Sequence, residues 1–125
     1  MKKFTASLVV LSTSLLLIGN VFAAQLDEQT QQALIDAIND EYKAHATYQK
    51  GMDQFGQIRP FTNIIKAEET HIQELLPLFE KYDIEVPEDN WYDQVPNFGS
   101  VQEAREAGIQ AEIENGVHHA RHGQR

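Results

Sequence analysis

Two heptad seams, joined by nothing longer than Gly56 to Arg59, constrain this chain more than any other feature. Leu34, Ile38, Glu41, His45, Tyr48, Met52 and Phe55 are spaced alternately by four and three, the pattern of a helix that packs one stripe against its neighbours. Phe61, Ile65, Glu68, Ile72, Leu75, Phe79 and Tyr82 repeat that spacing, flanked by Ile64, His71 and Leu78. The first seam predicts a helix over residues 27–55, ended at Gly56, where a left-handed stop is expected. Gly51 sits inside it at a cost of about 1 kcal/mol relative to alanine. Pro60 suits the first turn of the second helix, and so short a connection makes the two helices antiparallel neighbours. Pro77 predicts a kink or an early end.

Ahead of the first helix lies a different kind of segment. Met1-Lys2-Lys3 is basic, Leu8 to Ile18 is mostly apolar, and Val21-Phe22-Ala23 places small residues before Ala24. That is the layout of a signal peptide over residues 1–23, with an apolar run too short to read as a membrane span. An exported protein, periplasmic or secreted, is expected, with one helical domain over residues 24–125 and no membrane association after cleavage. About 100 residues then remain, enough for a single small core. The full chain carries a formal net charge of −9. Loss of the two leader lysines makes the mature protein more acidic still, which argues against nucleic acid as a partner. The chain has no cysteine, so a metal would have to be held by oxygen and imidazole.

Residues 83–99 hold two prolines, Gly99 and the pair Trp91-Tyr92, and read as an irregular connection. Extended at roughly 3.3 Å per residue it is long enough to run back along a helix, which lets the next helix lie parallel to the second. Trp91, Tyr92 and Phe98 give the connection reason to pack. Ser100 to Glu103 is a capping box that starts a third helix, continuing through Ala104, Ile109, Ala111 and Ile113. The ending, with Gly116, His118, His119, His122 and Gly123, is poor helix material, so residues 116–125 are expected to form a disordered tail. A thin internal repeat aligns Ile38 with Ile109, Glu41 with Glu112 and Tyr48 with His119.

The chemistry lies in where the acids fall. Glu41 occupies the middle of one apolar seam and Glu68 the middle of the other, with His45 one turn after Glu41 and His71 three residues after Glu68. An ionised carboxylate buried without a partner costs several kcal/mol. The seams supply no lysine or arginine at those levels, and Arg105 on the third helix is the nearest candidate. A divalent cation would resolve the conflict. A single Glu on one helix and a Glu-x-x-His on the next form half of the di-metal carboxylate pattern. Glu112 would be a second single glutamate. A solvated helix face is the bland alternative, and the match across the hairpin weighs against it. His45 is a candidate ligand or a hydrogen-bond partner of a ligand carboxylate, and Tyr48 a neighbour of the site. Glu69, Glu74 and Glu80 read as surface charge.

At these residues the chain resembles the ferritin-like superfamily, and more closely the domain of unknown function 2202 family, DUF2202. The likeness is carried by Asp40–Tyr48, by Arg59-Pro60-Phe61 through Glu68 to His71, and by Leu75–Phe79, Val86–Asn90 and Ala111–Asn115. It implies an all-α, four-helix ferritin-like fold with metal ligands at Glu41, Glu68, His71 and Glu112. The family continues its third helix and adds a fourth with a second Glu-x-x-His, which this sequence lacks. Three helices are therefore expected, with a homodimer covering the apolar seam left open.

The function expected is binding of iron or manganese, with zinc as an alternative. The site would become di-metal if a second chain completes it, with ferroxidase or peroxide- or oxygen-linked redox activity. No catalytic residue is assigned. A function of a different class is a non-catalytic, exported helical interaction or stress-related module with an incomplete site.

Overall fold

The computed structural model describes residues 25–122, with side chains through Gly116. The expected leader, residues 1–23, lies outside the described residues, as do residues 123–125. The described chain is all-helical: α1 (Glu28–Phe55), α2 (Phe61–Tyr82), a single turn α3 (Trp91–Gln94) and α4 (Val101–His122). None of these helices is long and apolar enough to cross a membrane.

The ends of α1 follow their local chemistry. Asp27 accepts hydrogen bonds from the Thr30 amide at 2.9 Å and the Thr30 hydroxyl at 2.8 Å, satisfying a donor that the first turn leaves open. Gly56 closes the helix at φ 91°, its amide donating to the Met52 carbonyl. At α4 the capping box forms in a shifted way. The Glu103 amide donates to Ser100 Oγ at 3.1 Å, whereas the Glu103 carboxylate accepts from the Gly99 amide at 2.7 Å, one residue upstream of the cap.

Three expectations are corrected. Pro77 does not end α2, which continues to Tyr82, because the next turn buries Phe79 completely and that burial outweighs one missing hydrogen bond. The irregular connection contains α3, so the described helices number four rather than three. Trp91 anchors that turn by donating its indole N–H to Asn39 Oδ1 at 3.2 Å. The expected tail is helical in its backbone as far as His122, passing through Gly116.

α1 is the central helix, with α2 and α4 both packed along it. Ile38 near its start meets Phe79 near the end of α2, and Tyr48 and Met52 meet Phe61 and Ile65 near the beginning. These two helices are antiparallel. Lys43 reaches Glu114 and Gln54 bonds Phe98 just ahead of α4, so α4 is also antiparallel to α1 and hence parallel to α2, as the crossover predicts. α4 does not dock through Ile109 and Ile113, which remain 50% and 55% exposed. It docks through the small stripe Ala104, Gly108, Ala111 and Asn115. A Cβ on Gly108 would lie 2.6 Å from the Tyr48 ring, and one on Gly51 would lie 3.0 Å from Phe61 and 3.3 Å from Ala104. The interior cost of these glycines is offset by the close approach of three helices.

Gly108→Ala should lower stability by about 1–3 kcal/mol in urea denaturation, because the Tyr48 ring must move. Gly116→Ala, whose Cβ would meet nothing within 4 Å, should raise it by about 0.5–1 kcal/mol. Equal effects at the two positions would show that α4 does not lie on Tyr48.

Candidate metal centre

The antiparallel hairpin brings the middle of one seam to the middle of the other. Glu41 from α1 meets Glu68 and His71 from α2, and one potential ligand atom from each lies within 4.8 Å of the other two. His71 Nδ1 is 3.2 Å from Glu41 Oε2 and 3.9 Å from Glu68 Oε2. The side chains form a gradient of exposure: Glu68 4%, Glu41 13% and His71 51%. A carboxylate thus lies at the bottom and an imidazole at the mouth. The mouth opens into a depression of about 380 Å³ where Glu74, Leu75 and Leu78 stand beside Glu41 and His71.

Burial pushes the Glu68 carboxyl well above the usual carboxylate range, and its neighbours add to the shift. Glu41 is within hydrogen-bonding reach and contributes its charge, and Glu112 does the same more weakly. Every charged group acting on Glu68 is another carboxylate. Arg105, the candidate counter-cation on the third helix, is exposed and is not among them. Lys43 is engaged by Glu114 at 2.6 Å. A buried acid surrounded by acids holds a proton at neutral pH or gives it up to a cation.

Tyr48 lies beside this group. It is 3% exposed, its ring stands edge-on to Phe61 at 5.3 Å, and Gly108 lies against its hydroxyl end. Burial first, then the charges of Glu112 and Glu68, push its phenol up to about 12. It stays protonated and is available as a donor.

Of the four expected ligands, Glu41, Glu68 and His71 come together. Glu112 comes within hydrogen-bonding reach of Glu68 and acts on Glu68 and Tyr48 through its charge, but it stands on an exposed part of α4 and is not one of the three mutually close residues. His45 turns elsewhere: its Nε2 is 3.6 Å from Glu69 Oε1, so its partner is a glutamate that the sequence marks as surface. Two residues escape a reading based on apolar periodicity. Glu74 lines the mouth. Asn115, 8% exposed, has a buried Oδ1 with no hydrogen-bond partner, three residues beyond Glu112 on the small stripe of α4. That four-three-four stripe was the available signal, masked by the larger isoleucines beside it.

Comparisons with protein-family models, with curated proteins and with solved structures return no match for this chain.

The shift of Glu68 has a sign that can be tested. Its folded pKa is raised, so above the ordinary value of 4.5 the unfolded chain loses its proton first and stability falls as pH rises. Glu68→Gln removes that loss. In chelator-treated protein the variant should be more stable than the parent at about pH 8, with the advantage shrinking toward about pH 4. Urea midpoints at several pH values measure it, and a pH-independent difference would remove burial of charge as the cause.

Proposed function

We propose that this protein binds a divalent transition metal, iron or manganese, through Glu41, Glu68 and His71, with Glu112 at the rim as a further oxygen donor. One observation carries the reading: among the described residues, the groups raising the pKa of a nearly buried carboxyl are other carboxylates, with an imidazole at the mouth beside them. The donor set fits such an ion. Two carboxylates and one imidazole are a mostly oxygen, partly nitrogen environment, which suits iron and manganese and also accommodates zinc. Few ligands from the chain leave coordination positions open, and bound iron would supply redox chemistry toward dioxygen or peroxide. Tyr48, protonated beside the carboxylates, keeps a hydrogen-bond donor at the site. The fold that supports this is all-helical, and the ferritin-like likeness of the sequence is part of the proposal.

Elemental analysis after metal-replete expression, followed by titration with Fe(II) and Mn(II) under anaerobic conditions, tests the binding. About one metal per chain is expected, lost in Glu68→Ala and weakened about tenfold or more in His71→Ala. No bound metal, or binding unchanged in both variants, would reject the site and leave a non-catalytic helical interaction module. Admitting air to the Fe(II)-loaded protein tests turnover separately. Oxidation no faster than in buffer, with Glu68→Ala unchanged, removes the redox activity and leaves binding intact.

A homodimer is proposed on a separate observation. Leu78 on α2 and Ile109 and Ile113 on α4 are 38%, 50% and 55% exposed, and a second chain would cover them. Light scattering should give twice the chain mass, and Ile109→Glu with Ile113→Glu should return it to that of one chain. A folded monomer of the parent overturns the dimer.

A further inference from the structure

A second concavity uses none of the metal-site residues. It lies between α1, α4 and the connection carrying α3, with a volume of about 240 Å³. Its walls are Trp91, Val95, Phe98, Ala107 and Ala111, and its polar groups include Lys43 and Glu114. Trp91 is fixed by its hydrogen bond to Asn39, so its ring is a preformed wall. Lys43 Nζ lies 2.6 Å from Glu114 Oε2 and 5.8 Å from the centre of the Trp91 ring.

We propose that this groove binds a small neutral aromatic alcohol of the phenol class, its ring against Trp91 and its hydroxyl at the Lys43–Glu114 pair. Size and charge select the occupant. An apolar cavity of roughly 150 Å³ admits benzene, so this groove holds one ring with modest substituents and is smaller than sites for drug-sized ligands, which begin at about 300 Å³. The lysine and glutamate neutralise each other. An anionic ligand would have to displace Glu114 from Lys43, and a cationic one would have to displace Lys43 from Glu114. The pair is 36% and 44% exposed, so water softens either loss and the selection against ions is modest. A hydroxyl accepts from the ammonium and donates to the carboxylate at once, so it satisfies both members without separating them. A purely apolar ring leaves that end of the groove unused. A flat π-face against the indole fills the rest.

The experiment uses the full chain and follows the indole N–H resonance of Trp91, the chain's only tryptophan, while phenol is titrated in, with benzene as the comparison. A saturable shift with phenol is expected, with benzene binding about tenfold more weakly. Ala107→Leu, which fills the groove from a half-buried position, should weaken phenol by about tenfold or more. Lys43→Met, which keeps the stem and removes the donor, should erase the preference for phenol over benzene. Far-UV circular dichroism of both variants should match the parent. A non-saturating response of the parent to phenol, or saturation unchanged in a folded Ala107→Leu, overturns the site. Equal affinity for benzene in the parent overturns the assignment of the hydroxyl. If Ala107→Leu does not fold, Gln110→Phe, substituting an exposed residue that also lines the groove, is expected to weaken phenol in its place, and unchanged binding there overturns the site.

Discussion

The carboxyl group of Glu68, buried and facing Glu41 across the hairpin, is the constraint around which the rest of this structure is arranged. It divides the core in two. On one side Ile38, Tyr42 and Phe79 form an apolar layer, and on the other Tyr48, Met52, Phe61, Ile65, Phe98 and Ala104 form a larger one. The acids and His71 fall between them. Fully burying a residue such as Phe61 or Phe79 is worth about 1.5–3 kcal/mol each, so the two layers supply the stability that permits an unfavourable polar layer. A helix hairpin selected for stability alone would place leucine at both glutamate positions. Carboxylates there carry an energetic cost in a partly dry interior, and the cation binding proposed above would relieve it.

The sequence made the hairpin and the centre of the site legible for one reason. Seam spacing is a periodic signal, and Glu41 and Glu68 interrupt it at matched levels, so identifying the helices also located the acids. The same method failed where packing is not driven by large apolar side chains. Ala104, Gly108, Ala111 and Asn115 carry little hydrophobic signal, yet they are the face that docks, while Ile109 and Ile113 carry a strong one and face outward. Docking through them depends on how closely two backbones approach, which Gly51 and Gly108 settle in three dimensions. His45 shows the limit at the scale of one side chain. It lies one helical turn from Glu41, but a small rotation around the helix carries its ring to Glu69 instead. α3 was hidden because a single turn is too short to show a period, and what holds it are single side-chain bonds, Trp91 to Asn39 and Tyr92 to Asp53.

The outward isoleucines and the peripheral place of Glu112 follow from that same choice of face. Each residue of an α-helix turns by about 100°, so with the small stripe against α1, Glu112 falls on the shoulder between the contact and the Ile109–Ile113 side. It is close enough for its charge to act on Glu68 and Tyr48, yet it is not part of the close group. Rotating α4 to bury the isoleucines would push their larger side chains into the space where Gly108 admits Tyr48. The phenol would then be driven away from the acids. The structure keeps Tyr48 beside the carboxylates, while the mouth at His71 is lined from α1 and α2, with Leu75 and Leu78 beside it. The outward isoleucines and the phenol held beside the acids are therefore one property of the fold, set by the close contact between Tyr48 and Gly108.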